Sequence, residues 1–271
     1  VVGDCYFRQE KWQESIKPLE DFVNERVILK NGKRQKVNAG PNLDTALIQL
    51  AVAYDRSNQR EEALEHLLTL TDHYPEVTPH MPLALSDQGR LAYQTGDLKR
   101  ARTALERFIE KDKESKEPFK NTAPVHRPRV RYYLGWVNTT EKKHEEAAEH
   151  FAKVPASDPL GADAALQRGI ALINAEDFET AAKHFPQMLS QFKEHEKLAL
   201  VIYYAGLSSA KEEDWKSAAN YFKLVTDNHP KSEFADQALY EWAWAERARK
   251  GVDSHEFSPL ADLTKPRAAA E

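Results

Sequence analysis

The sequence predicts an all-α protein built as an array of antiparallel helix pairs, and three observations lead to that prediction. A fixed pattern of small and large apolar residues recurs along the chain. Only 10 glycines occur in 271 residues, which suits helices. Hydrophobic residues make up 41% and charged residues 30%, enough for a core and for a large wetted surface.

The recurring pattern has four positions. A small residue is followed twelve positions later by a second small residue, then by a large apolar residue four positions on and another three beyond. Six segments follow it: Gly3, Ser15, Leu19, Phe22; Ala51, Ala63, Leu67, Leu70; Gly89, Ala101, Leu105, Phe108; Gly135, Ala147, Phe151, Val154; Gly169, Ala181, Phe185, Met188; and Gly206, Ala218, Phe222, Val225. A seventh begins at Ala243.

The pattern resembles the tetratricopeptide-repeat (TPR) family, whose unit also ends near a proline. Pro75, Pro159 and Pro230 occupy that place. An aromatic residue or leucine is expected three positions before the second small residue, and Trp12, Leu98, Phe178 and Trp215 match, whereas Arg60 and His144 depart from the pattern. The resemblance implies a TPR solenoid, a right-handed superhelix whose first helices line the concave side.

Residues 228–239, with a proline, a polar link and an alanine-rich start of the next helix, resemble the bacterial cell-envelope TPR proteins of the Tol-Pal and outer-membrane assembly systems. That resemblance implies a periplasmic or cell-envelope location, with the cytoplasm as the alternative.

The small residues are explained by helix packing. Glycine or alanine at a helix crossing lets two backbones approach, and we expect the large residue sixteen positions on to fill the space toward the next repeat. Because one repeat cannot bury its apolar face alone, stacked repeats form the core.

The spacing of the repeats predicts an array over residues 1–251 with two insertions and an irregular tail or cap at 252–271. The first insertion, 24–42, carries an Asn-Gly pair that predicts a small hairpin. A second helix that runs on to about Leu29 is the equal alternative. The second insertion, 111–128, contains three prolines and predicts an extended surface loop. We expect the first repeat to be truncated at its front.

No feature of the sequence predicts catalysis or a cofactor. Phosphate-cradling loops, dinucleotide-binding glycine motifs and nucleophile elbows do not occur. His144 and His150 are six residues apart, which places them on opposite faces of a helix and does not favour a zinc site. A net charge of -5 argues against nucleic-acid binding, and no apolar stretch is long enough to enter a membrane.

A partner-binding groove is predicted from helical spacing. The positions three before, one after and four after each small residue of a first helix face the groove, and six of these eighteen residues are aromatic. Together with Arg129, from the basic stretch at the end of the second insertion, the proposed contacts are Arg90, Tyr93, Tyr132, Trp136, Tyr203, Leu207, Tyr240, Trp244 and Arg247. Each aromatic has core packing as its alternative role, and Arg129 has that of a solvated loop flank.

The sequence therefore predicts a non-catalytic scaffold that binds a protein or peptide in an aromatic-lined groove. The alternative is a structural spacer or self-association segment of a longer protein, which makes a homo-oligomer a further expectation.

Overall fold

The computed structural model describes residues 2–25, 27–30, 33–37, 42–73 and 78–251. The chain divides into two compact units, residues 1–141 and 142–271. The prediction of an all-α array is confirmed, because within each unit almost every helix packs on the next one along the chain.

Unit 1 contains eight helices and one pair of strands among its described residues. Their bounds are α1 Val2–Arg8, α2 Trp12–Asn24, β1 Val27–Lys30, β2 Lys33–Val37, α3 Leu43–Arg56, α4 Arg60–His73, α5 Met81–Gln94, α6 Leu98–Glu114, α7 Phe119–Thr122 and α8 Arg127–Thr140.

Unit 2 contains six helices up to residue 251. Their bounds are α9 His144–Phe151, α10 Gly161–Asn174, α11 Phe178–Gln191, α12 Leu198–Lys211, α13 Trp215–Asn228 and α14 Ala235–Lys250. The first helices, which carry the first small residue of each repeat, are α1, α3, α5, α8, α10, α12 and α14.

The glycines at the helix crossings are in direct contact with the large residue sixteen positions on. A Cβ added to Gly89 would lie 2.3 Å from Leu105 Cδ2, and one added to Gly206 would lie 2.6 Å from Phe222 Cε1. The large side chain therefore covers the glycine of its own repeat, which differs from the predicted role of filling space toward the next one. Phe185 does both, since its ring also stacks on Tyr204 at 5.8 Å between centroids.

The turn between the two helices of a repeat also repeats in detail. Seven residues after the small residue, the backbone takes a positive φ in six repeats, at Glu10, Asn58, Gly96, Lys142, Glu176 and Glu213. The next residue precedes the second helix, and at Asp97, Asp177 and Asp214 its carboxylate accepts a hydrogen bond from a backbone N–H of the first turn. These caps satisfy donors that the helix itself leaves unpaired.

The first insertion contains a hairpin. Strands β1 and β2 pair antiparallel, with Val27 opposite Val37, and α2 ends at Asn24. The hairpin prediction is therefore confirmed and the alternative, a helix that continues to about Leu29, is wrong. The predicted Asn-Gly turn lies outside the described residues.

The second insertion is not the extended loop that the prolines predict. Helix α6 continues to Glu114, and the short helix α7 and a 3-10 turn over Ala123–Val125 follow. Phe119 is buried, and its ring meets that of Phe108 edge-on at 5.5 Å. One buried aromatic thus ties the insertion to the core, and Pro128 sits in the first turn of α8, where proline costs no hydrogen bond.

Two further predictions, the irregular tail or cap over residues 252–271 and the repeat-ending role of Pro75, lie outside the described residues. No helix in the described ranges has both the length and the apolar character needed to cross a membrane.

Candidate partner-binding surfaces

Four aromatic rings form a continuous cluster on α5 and α8 of unit 1. The ring centroids of Tyr93 lie 5.8 Å from Tyr133 and 6.5 Å from Trp136, and those of Tyr132 lie 5.4 Å from Tyr133 and 6.2 Å from Trp136. All four side chains are half-buried. The sequence-predicted residues Tyr93, Tyr132 and Trp136 are therefore brought together, each with part of its surface open to solvent.

An ion-pair network lies beside this cluster. The carboxylate of Asp87 accepts hydrogen bonds from Arg129 Nη1 at 2.6 Å and from Arg90 Nε at 3.4 Å. Arg90 Nη2 donates a further hydrogen bond to Asp55 Oδ2 at 2.6 Å. The network links α3, α5 and α8. The two predicted arginines of unit 1, Arg90 and Arg129, consequently form ion pairs with carboxylates of their own unit.

The charges of this network stabilise one another. Burial opposes the charge of Arg90, but the hydrogen bond that it donates to Asp55 and the charges of both aspartates raise its pKa above the ordinary value. Burial, with a smaller contribution from the charge of Arg129, lowers the pKa of His126. Arg90 is therefore part of an internal ion-pair network of unit 1, and its guanidinium is less available to bind an anionic group of a partner.

Sequence reasoning missed Tyr133 and Asp87. Both stand two residues before the small residue of their helix, a position left out of the predicted groove. At 100° per residue that position lies only about 60° from the one following the small residue, so the exposed stripe is wider than predicted. The available signal was that this position holds an aromatic residue in α8 and a carboxylate in the neighbouring helix α5.

Among the aromatic side chains of unit 2 that the structure describes, two on α14 are the most exposed. Tyr240 and Trp244 each keep 40% of their surface accessible, and their rings meet edge-on at 6.3 Å. The guanidinium carbon of Arg247 lies 4.8 Å from the centroid of the Trp244 ring, within reach of a cation–π interaction. Three predicted contact residues thus form one patch.

The two predicted residues of α12 have a different environment. Tyr203 is only 4% exposed, and its ring contacts those of Phe222 and Phe234, each at 5.7 Å. Burial raises the pKa of Tyr203 to about 12. The structure places this tyrosine in the core and not on the surface. Leu207 is half-buried against the same core.

Within the described residues no three histidine, cysteine, aspartate or glutamate side chains converge in a geometry that would hold a metal ion.

Comparisons with known proteins place the repeats in a family. Two family models, both for the tetratricopeptide repeat, match residues 48–116 and 86–162 and residues 200–232, together more than half of the chain. Neutrophil cytosol factor 2 of Mus musculus is 27% identical over 153 residues, which is 51% of this chain and 28% of that protein. The chain thus spans less than a third of the length of this curated relative.

Solved structures show the same fold. The C-terminal part of a TPR repeat-containing protein from Cytophaga hutchinsonii aligns with a TM-score of 0.61 at 12% identity, over 97% of this chain and 98% of that chain. MamA from Desulfovibrio magneticus RS-1 aligns at 0.54 and 21% identity, over 72% and 98%. The TPR protein YrrB aligns at 0.56 and 20%, over 71% and 90%. With its repeat pattern, its helix pairs and these matches, the chain belongs to the tetratricopeptide-repeat family.

Proposed function

We propose that this protein is a non-catalytic scaffold that binds a peptide or a segment of another protein on the surface of its first helices. The observation that carries the proposal is that first helices of each unit present solvent-accessible aromatic rings, which are Tyr93, Tyr132 and Trp136 in unit 1 and Tyr240 and Trp244 in unit 2.

Aromatic residues with part of their surface open supply large, rigid contact area. Tyrosine, tryptophan and arginine dominate the binding energy of protein interfaces. In unit 2 the exposed face of Trp244 already carries Arg247, so both residue types lie in one patch. The solved relative YrrB is a TPR protein with an unusual peptide-binding site, which supports a peptide ligand by analogy of fold.

The test is a selection of peptides from a random display library on the intact chain. Dissociation constants of the selected peptides are then measured by fluorescence anisotropy for the wild type, Trp136→Ala and Trp244→Ala. We expect one of these variants to weaken each peptide roughly thirtyfold, the equivalent of about 2 kcal/mol for a central aromatic contact.

The matched control is Leu224→Ala, which removes an exposed apolar side chain from the second helix α13. Its affinities should equal those of the wild type. Peptides that bind all four proteins equally would contradict the proposal, as would a selection that returns no binder.

Self-association is the second candidate function, and the exposure of Tyr240 and Trp244 is the observation that favours it, because a second copy would bury both rings. Sedimentation velocity over a range of concentrations tests it. A size that grows with concentration and no longer does so in a Tyr240→Ala, Trp244→Ala variant supports this function, and a constant size rejects it.

We further propose that the protein is bacterial and acts in the periplasm or cell envelope. The support is the resemblance of residues 228–239 to cell-envelope TPR proteins. Fractionation of cells that express the natural gene tests the location, and recovery of the protein with the cytosol would favour the alternative.

A further inference from the structure

Unit 2 contains a cavity of about 340 Å³ on the side of its first helices. Ile170 of α10, Ala199 and Leu200 at the start of α12, and Phe234 just before α14 supply its apolar lining. Ligand pockets measure roughly 300–1,000 Å³. At the lower end of that range, this cavity suits a single side chain better than a whole cofactor.

The rim of the cavity is acidic. Glu196 and Glu233 both lie there, both are exposed, and neither forms an ion pair or hydrogen bond with any residue that the structure describes. The one lysine of the rim, Lys197, is already close to a carboxylate, with its Nζ 3.8 Å from Asp163 Oδ1. Among the residues that line this cavity, the uncompensated charge is therefore negative.

One hydroxyl at the cavity has no partner. Ser232 lines the cavity, and its Oγ is buried without a hydrogen bond within the described part of the chain. An unsatisfied buried polar group costs free energy, on the order of 1–3 kcal/mol. A carbonyl oxygen brought in by a bound segment would accept this hydrogen bond once rotation of the Ser232 side chain about χ1 turned the hydroxyl toward the cavity.

We propose that this cavity takes the aliphatic or aromatic side chain of a partner segment that carries a lysine or arginine next to that side chain. The apolar lining receives the side chain, and Glu196 and Glu233 attract the neighbouring cation. The inference rests on the proposed peptide-binding function. It adds the chemistry of the bound segment and the cavity that recognises it.

The test compares random peptide libraries selected on three versions of the intact chain. They are the wild type, the double charge reversal Glu196→Lys, Glu233→Lys, and the control reversal Glu212→Lys, Glu213→Lys. The control changes the same charge at the opposite end of α12, about 20 Å away along the helix.

We expect the wild type and the control to select peptides with lysine or arginine beside a leucine, isoleucine or phenylalanine, and the rim variant to select aspartate or glutamate at that place. Ile170→Asp should weaken wild-type-selected peptides about tenfold or more while far-UV circular dichroism stays unchanged, and Ser232→Ala should weaken them less.

Peptides of the same charge composition from all three proteins, or peptides insensitive to Ile170→Asp, would overturn the inference. The proposed function would still stand in that case if Trp136→Ala or Trp244→Ala weakened those peptides. A selection without any binder would overturn both.

Discussion

The two units build their cores in the same way and differ in what their first helices present to solvent. In unit 1 a glycine lies under Leu105, and in unit 2 glycines lie under Phe185 and Phe222. The surfaces are unlike: α5 and α8 carry an ion-pair network beside their aromatic cluster, whereas unit 2 has an aliphatic cavity and the open rings of α14. The repeat register therefore fixes the packing and leaves the surface free to vary.

The largest expected effect tests the shared half of this comparison. Gly89→Leu and Gly206→Leu each place a branched side chain where even a Cβ would lie within 2.6 Å of a packed neighbour. Each should lower the free energy of unfolding of its unit by about 3 kcal/mol or more, at the upper end of overpacking costs. Urea unfolding followed by circular dichroism measures the loss.

Ala210→Leu is the comparison for these substitutions, because Ala210 lies one turn beyond Gly206 on α12 and is only half-buried against the core, so its replacement should cost less than Gly206→Leu. A tolerated Gly206→Leu alongside a damaging Gly89→Leu would show that the two units do not share one packing rule.

The next effect concerns the polar surface of unit 1. Asp87→Ala removes the carboxylate shared by Arg90 and Arg129, which leaves Arg90 with Asp55 alone and Arg129 without this ion pair, and the loss should cost about 1–3 kcal/mol. Trp244→Ala in unit 2 removes a side chain that is already 40% exposed, and the cost should be smaller. Thermal unfolding of both variants measures this difference. A lower unfolding midpoint for Trp244→Ala than for Asp87→Ala would contradict the prediction.

Substitutions in two equivalent turns should change the stability of the protein in opposite directions. Gly96 in unit 1 has a φ of +86°, which L-residues rarely adopt, so Gly96→Ala should destabilise by about 1 kcal/mol. Glu213 in unit 2 occupies the equivalent turn with a φ of +58°, and Glu213→Gly should be neutral or stabilising by a few tenths of a kcal/mol. A shift of the two unfolding midpoints in the same direction would mean that these turns are not equivalent.

Acidification should affect unit 2 more than unit 1. Burial lowers the pKa of His184 below 6.5, and its Nε2 is 2.7 Å from the carbonyl oxygen of Ala165. A histidine with a depressed folded pKa contributes stability above its unfolded pKa near 6.5, and that stability is lost as the pH falls through the lower folded pKa. The hydrogen bond with the Ala165 carbonyl partly opposes this shift, as the charge of Asp87 does at His126 in unit 1, but His184 is buried and His126 is only half-buried.

The measurement is the unfolding free energy between pH 7.5 and pH 5 for the wild type, His184→Gln and His126→Gln. The pH dependence should shrink with His184→Gln and change less with His126→Gln. If the pH dependence of the unfolding free energy is the same in His184→Gln as in the wild type, titration of His184 is not its cause.

Much of the fold follows from the sequence, because the contact between a glycine and the large residue sixteen positions on is periodic. Spacing alone placed Gly206 and Phe222 in one repeat, although it assigned Phe222 to the space toward the next repeat and not to the surface of the glycine. The compact structure of the second insertion could not be predicted, because it depends on the packing of Phe119 against Phe108. This tertiary contact has no local sequence signal.

The surfaces could be predicted only in part. Spacing placed Tyr240 and Trp244 on the open face of α14, but it gave Tyr203 the same position, and neighbouring Phe222 and Phe234 close over that ring. Asp87 was missed because the predicted groove left out the position two before the small residue, and the ion pairs that it forms between helices do not follow the apolar periodicity. The acidic rim at Glu196 and Glu233 combines two loops that are distant in sequence.

The central claim is that the first helices hold the partner, and amide hydrogen exchange of the intact chain with and without a library-selected peptide tests it most directly. We predict slowed exchange in α5 and α8, or in α10, α12 and α14, with the second helices α6, α11 and α13 unchanged. Protection confined to the second helices would contradict the account.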